Sequence, residues 1–206
     1  MKKSIVLLLY LLLLPFLCES QPLENLDYIS PFHEGLAAVN KDGKWAFIDT
    51  KGKIIINFRN DLAVSEYNHE DYPLFSDKRC LIEKRKDGIS YFGYINTSGK
   101  TVIEPKYLNA TNFNNGNAIV IRLIKETVGR NIALGKNVAY DKYFEVTIDT
   151  DGNISNYLSE KPKNIILDKD YTKEPPKICS RYLSETLYAV QHENNTWEII
   201  NLKDKN

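Results

Sequence analysis

The sequence predicts an all-β fold: tandem three-stranded antiparallel β-meander repeats, stacked as a solenoid-like or propeller-like array. Three observations predict it. First, the phrase that runs from Gly43 to Ile55 (GKWAFIDTKGKII) returns over residues 91–102, 145–154 and 197–204. Second, its turn glycines stand at 52, 99 and 152, so the period is 47 and then 53 residues, a length typical of repeat arrays rather than of one compact enzyme fold. Third, alternate residues of the middle strand are apolar on both sides, with Trp45 and Phe47 one way and Ala46 and Ile48 the other. A strand apolar on both faces needs cover on both faces, which neighbouring repeats supply.

The first unit shows the design most clearly. Leu36–Val39, Trp45–Asp49 and Ile54–Ile56 read as short strands, joined by turns at Lys41-Asp42-Gly43 and Thr50-Lys51-Gly52. Asp49, Asn96 and Asp149 each precede a glycine by three residues. That spacing suits a type I turn in which the side-chain oxygen binds the turn backbone and glycine takes a positive φ. Each unit opens on an aromatic, Phe32, Phe75 or Phe113, expected to be a packing peg between units. Leu26 and Tyr107 lie six residues before two of these pegs, in spacers expected to form a turn or a single helical turn.

The expected organisation is therefore a signal peptide over residues 1–20 and repeats one to three over 21–157, with units near 32–60, 75–107 and 113–157. An irregular, proline-bearing connector over 158–181 and a partial fourth repeat over 182–206 follow. Lys2 and Lys3 precede an apolar run from Ile5 to Leu17, too short for the ~20 residues that span a bilayer and suited to a signal peptide. Cleavage after Ser20 would start the mature chain at Gln21, in a secreted or periplasmic protein. The alternative is a lipid anchor on Cys18. No other apolar run is long enough to cross a membrane, so no transmembrane segment is expected after cleavage. Loss of Lys2, Lys3 and Glu19 from 27 basic and 27 acidic side chains leaves the chain near neutral, which argues against nucleic acid as a partner. Of the cysteines, Cys80 and Cys179 remain. They either pair or stand as two thiols, and Cys80, at the place of Ala37, is expected to be a small buried residue.

Place by place, the first unit resembles the WG-repeat family, whose unit reads approximately F-x-E-G-L-A-x-V-x-x-x-G-K-W-G-F-I-D-x-x-G-K-x-V-I-x-P-x-Y. Phe32, Glu34, Gly35, Leu36, Ala37, Val39, Gly43, Lys44, Trp45, Phe47, Ile48, Asp49, Gly52, Lys53 and Ile55 match, with Ala46 for the second glycine. Gly88, Phe92, Gly93, Ile95, Gly99, Lys100, Ile103, Pro105 and Tyr107 carry the second unit. Ile148, Asp149 and Gly152 carry the third, which has Glu145 at the tryptophan place and an insertion around Ile124–Tyr140. Trp197 carries the fourth, with Asp204 for glycine. The resemblance implies a bacterial, often secreted, β-rich repeat protein with no established catalytic residues.

Chemistry-bearing patterns are few. Asp149, Asp151, Asn153 and Glu160 match places 1, 3, 5 and 12 of a calcium loop, but Ile154 stands where such a loop needs glycine, so they are read as a turn. His69-Glu70-Asp71 is read as a solvated loop, and His33 and His192 are lone histidines. No metal, cofactor or catalytic set is assigned. Three functions follow in order: a non-enzymatic exported module binding a protein or a cell-envelope component; a glycan-binding module presenting Tyr67, Tyr72, Tyr91, Tyr94 and Tyr107; and a hydrolase using His69 with Asp71 or Glu70.

Overall fold

The computed structural model describes residues 23–131, 136–192 and 194–202. The expected signal peptide, Cys18 and Asp204 lie outside them. Among the described residues the chain is all-β, without an α-helix, and forms several small antiparallel sheets.

Strands β1 (Tyr28–His33), β2 (Leu36–Lys41), β3 (Lys44–Asp49) and β4 (Ile54–Arg59) make the first sheet, in chain order. A small hairpin follows, β5 (Ser65–Tyr67) and β6 (Glu70–Tyr72), where the sequence reading expects a solvated loop. Its two-residue turn holds Asn68 and His69 at φ of 52° and 68°, the left-handed pair of a type I′ hairpin. The second sheet is β7 (Arg79–Lys86), β8 (Ile89–Asn96) and β9 (Thr101–Tyr107). In the third, β10 (Asn117–Asn131) and β11 (Lys136–Asp149) form a long hairpin, so the insertion of the third unit is a β-arm. Completing that sheet, β12 (Ile154–Tyr157) and β13 (Lys163–Ile165) both pair with β11, which places a short strand within the expected connector. The last sheet is β14 (Arg181–Tyr182), β15 (Leu187–Gln191) and β16 (Trp197–Asn201).

The lead-in to each unit is extended and pairs with that unit's first long strand, where the sequence reading expects a turn. Ala63 donates its N–H to Leu81 O (3.0 Å), Thr111 to Ile119 O (2.9 Å) and Leu108 to Ile121 O (2.9 Å). In the first unit β1 takes this place. A lead-in spent on helix would leave the edge of the strand unpaired, and the ladder bonds decide otherwise.

Hydrophobic clusters bridge consecutive units. One joins Leu36, Ala38, Phe47 and Ile56 of the first unit to Phe75, Cys80, Ile82 and Ile95 of the second. Another joins Leu81, Phe92, Tyr94 and Ile103 to Phe113, Ala118, Val120, Val146 and Ile148. A third joins Ile119 and Leu158 to Tyr188, Val190 and Ile200. The aromatic contact repeats with the same geometry: Phe75 meets Phe47 edge-on at 4.7 Å and 63°, and Phe113 meets Tyr94 at 4.7 Å and 63°. Phe32 departs from the expected peg. It is 50% exposed, because among the described residues no middle-strand ring stands before it, whereas Phe75 is 1% exposed.

The two tryptophans also differ from the buried ring that the sequence leads one to expect. Trp45 is half-buried with its edge against Tyr28 (5.7 Å), and Trp197 is exposed; the ring enclosed in the first unit is Phe47. Cys80 and Cys179 are free thiols. Cys80 is fully buried at the Ala37 place, and burial pushes its thiol well above the ordinary value.

The turn residues have clear work. Asp49 accepts N–H bonds from Lys51 and Lys53 (both 2.9 Å), and these, Lys53 foremost, hold its carboxyl below the usual value. Asn96 accepts from Ser98 and Lys100, and Asp149 from Asp151 and Asn153, while Gly52, Gly99 and Gly152 sit at φ of 77°, 80° and 83°. Gly93 answers a different need. A Cβ there would stand 2.3 Å from Ile103 O, because three residues of β9, Glu104 to Lys106, bulge opposite it between the pairs Phe92↔Tyr107 and Tyr94↔Ile103. In the first unit only Asn57 and Phe58 bulge, between Trp45↔Arg59 and Phe47↔Ile56, and there the facing residue is Ala46.

Candidate binding groove

The junctions between units are where the fold gathers polar side chains, and a second repeating contact builds them. The tight turn that opens each unit has two consecutive residues with positive φ: Glu34 and Gly35, Asp77 and Lys78, Asn115 and Gly116. Such a turn aims neighbouring backbone N–H groups at one point and attracts an anion. Glu34 supplies it to the next unit, accepting from Asp77 N and Lys78 N (2.8 Å each), and Asp77 in turn accepts from Gly116 N (2.7 Å). The acidic residue of one opening turn therefore caps the turn after it.

That relay changes at the third-to-fourth junction. Asn115 takes the acidic place and donates instead to the Tyr182 hydroxyl (2.5 Å). The middle strand carries Thr147 where Phe47 and Tyr94 stand, and Leu183, at the peg place, is half exposed. Docking passes to Glu145, the residue at the tryptophan place. Its buried carboxylate accepts from Cys179 N (3.1 Å) and Ser180 N (2.8 Å), pinning the end of the connector to β11. The sequence marks Glu145 only as a departure from the repeat; an acid at an otherwise aromatic, two-sided apolar strand was the available signal.

Among the described residues, two grooves lie at this junction. The larger, about 600 Å³, runs past Glu145, Glu160, Lys161, Lys163, His192 and Glu198. Its charges are partly spent, since His192 pairs with Glu198 (3.1 Å) and Glu145 is taken by the connector. The smaller, about 490 Å³, collects side chains from β5, the second, third and fourth units. Leu74, Phe113 and Ile119 give it an apolar base; Tyr67, Tyr182 and Tyr188 bring rings, and Ser76, Thr111, Asn112, Asn114, Asn117 and Ser180 bring uncharged polar groups. Among the described residues Arg181 is the one charged residue in its wall, and its guanidinium lies over the Trp197 ring at 4.7 Å.

Two of these residues hold hydroxyls that are buried and unpartnered. Tyr188 is 1% exposed and Ser180 5%, and neither side-chain oxygen has a hydrogen-bond partner among the described residues. A buried hydroxyl left so costs about 1–3 kcal/mol. Burial, and then the neighbouring Tyr182, push the Tyr188 phenol above its ordinary pKa. Tyr182 stands edge-on to it at 5.7 Å and 85°. Sequence reasoning missed Tyr182, Tyr188 and Ser180, since nothing in their spacing distinguishes them from strand residues.

The residues singled out in sequence are placed otherwise. Of the tyrosines considered for glycan faces, Tyr72, Tyr94 and Tyr107 are buried in packing, so that row is no exposed line; Tyr67 reaches the groove. His69 projects almost fully into solvent beside Glu66 (3.9 Å), while Glu70 accepts from the Tyr28 hydroxyl (2.6 Å), an interaction that pushes the phenol up to about 12. His33 bonds the Tyr72 hydroxyl at 3.0 Å. These histidines converge on no common point with His192. Asp149 spends both carboxylate oxygens within its own turn, on Asp151 N and on Asn153 N and Nδ2, and Asp151 reaches toward Arg79 (4.0 Å). No cluster of three metal-ligating side chains occurs among the described residues. Nor is any helix there long and apolar enough to cross a membrane.

No curated protein and no solved structure matches the chain. The family model described as WG containing repeat matches it at three places, residues 25–45, 45–63 and 92–121, that is, in the first unit and from the middle strand of the second into β10 of the third.

Proposed function

We propose that the chain is an exported, non-enzymatic β-repeat module of the WG-repeat family, its units stacked serially, which binds a cell-envelope component or a protein in the groove at the third-to-fourth junction. The observation that carries the reading is that this groove gathers side chains from three units and the β5–β6 hairpin, with buried hydroxyls left unpartnered at its lining. Binding sites in repeat arrays form on surfaces shared by several units, and polar groups converging on an apolar base are what fixes a ligand's orientation. The serial stacking rests on the recurring ring contact and on the recurring carboxylate cap. A hydrolase reading has less behind it, since general acid–base work needs a group held within reach of a bound substrate and His69 stands in solvent.

Co-sedimentation of the mature protein with washed cell-envelope material tests the reading. Wild-type protein is expected in the pellet, and the double variant Tyr182→Ala/Asn117→Ala in the supernatant with its fold intact by circular dichroism. Equal retention of both proteins would refute a role for the groove.

A further inference from the structure

Resting on that reading, we infer that the groove at the third-to-fourth junction is a site for a neutral oligosaccharide. Size speaks first. A cavity of about 490 Å³ lies in the range of roughly 300–1,000 Å³ typical of small-ligand sites, whereas a stable protein interface buries about 800 Å² on each partner, mostly on flatter ground.

Charge speaks next. Among the described residues no carboxylate and no lysine lines the groove, and its one cation is Arg181, stacked on Trp197. A cationic ligand would find no counter-charge there, and a polyanion would find a single guanidinium for its many charges, leaving the rest desolvated without partners. The neighbouring groove of about 600 Å³, with its Glu, Lys and His side chains, shows what a charged lining looks like in the same protein.

Polar chemistry narrows the class further. Asn112, Asn114 and Asn117 are primary amides: Asn112 Oδ1 already accepts from Ser65 Oγ and Asn117 Nδ2 donates to Asn115 O, while Asn114 presents its donor and acceptor side by side, the complement of two adjacent hydroxyls on a sugar ring. The Ser180 and Tyr188 hydroxyls have no partner but also almost no accessible surface, so they lie behind the lining, and the amides and rings in front of them are what a ligand meets. Tyr67 and Tyr182 add ring faces and edges against which the C–H face of a pyranose packs.

Isothermal titration with maltotetraose, cellotetraose and chitotetraose tests the inference, run beside dextran sulfate and a neutral Ser/Asn-rich hexapeptide. At least one of the three neutral tetrasaccharides is expected to bind, and Asn114→Ala to weaken it by about tenfold while leaving the urea midpoint unchanged, because its amide lines the groove with no side-chain partner among the described residues. A lowered midpoint with unmoved affinity would give the amide a purely structural role, and that result overturns the inference. So does binding of dextran sulfate or the peptide with none of the tetrasaccharides, or binding of none of the probes. The two readings fail separately: if envelope retention depends on Tyr182 and Asn117 while no tetrasaccharide binds, the groove stands and its neutral-sugar assignment falls. If retention is also indifferent to the groove, both fall.

Discussion

Phe75→Ala probes the contact that joins the first two units. Phe75 is 1% exposed and sits edge-on to Phe47 at 4.7 Å, within a cluster that includes Leu36, Ile56, Cys80, Ile82 and Ile95. Removing the ring takes away its whole transfer free energy and leaves a cavity between two sheets that cannot close without moving one of them. The expected loss is about 3–5 kcal/mol. That is a fifth or more of the ~5–15 kcal/mol that holds a typical domain together. Phe32→Ala is the internal control: the same residue at the same place in the repeat, but 50% exposed, with an expected cost near 0.5 kcal/mol. Urea unfolding followed by tryptophan fluorescence measures both, with the slope checked for constancy. A double-mutant cycle with Phe47→Leu and Phe75→Leu should return a coupling of about 0.5–1.5 kcal/mol for the ring pair. Equal losses for Phe32→Ala and Phe75→Ala, or a loss under about 1 kcal/mol for Phe75→Ala, would refute the argument that burial between units, not the repeat motif itself, sets the energy.

Glu145→Gln should cost about 1.5–3 kcal/mol, because a charged acceptor of two backbone N–H bonds is lost, and should expose the connector to limited proteolysis ahead of global unfolding. Gly93→Ala should destabilise by more than ~1 kcal/mol, although replacing a strand glycine by alanine ordinarily gains about 0.5–1 kcal/mol, since its Cβ would meet Ile103 O; Ala46→Gly, facing the smaller bulge, should cost about the ordinary 0.5–1 kcal/mol. Burial raises the Tyr94 pKa well above 10 in the folded chain, so its contribution is complete below pH 10 and is lost as pH rises from there toward the folded value. Tyr94→Phe should flatten that alkaline arm of the stability profile. At the acid end, the Arg59 side chain lowers the Asp61 pKa below 3.8, so that pair's contribution is full above 3.8 and fades as pH falls beneath it. Mass spectrometry of the exported protein should find Gln21 as the first residue; a diacylated Cys18 would make the chain a lipoprotein instead.

The hairpin turns were legible in the sequence because their causes are local. Asp49, Asn96 and Asp149 bond their own turn backbone, and the glycine three residues on takes the positive φ, so spacing alone carries the information. The peg at Phe75 was legible for a related reason, since the repeat fixes which strand lies beside it. Phe32 was not: the motif is the same, and only the absence of a ring before it in the described chain leaves it exposed. Trp45 and Phe47 share a strand face by periodicity, yet which ring is enclosed depends on where the next sheet lands, a tertiary fact. Arm, lead-in and groove were hidden more deeply. Residues 124–131 and 136–140 continue a hairpin whose apolar pattern fades beyond Leu123, and the lead-ins bond to residues 8, 13 and 18 places further along the chain. The groove is built by residues of three units and the β5 strand that come together only in the folded chain, and such a convergence leaves little trace in a sequence read by matches.

Hydrogen-exchange mass spectrometry of the protein with and without the best-binding neutral tetrasaccharide tests the central claim most directly. Added protection is expected in peptides covering residues 111–117 and 180–188, with Asn114→Ala reducing it at the same ligand concentration and the β2–β4 sheet unchanged. Protection confined to the β10–β11 arm or to the 158–163 and 190–198 segments, with 111–117 and 180–188 unaltered, would contradict it.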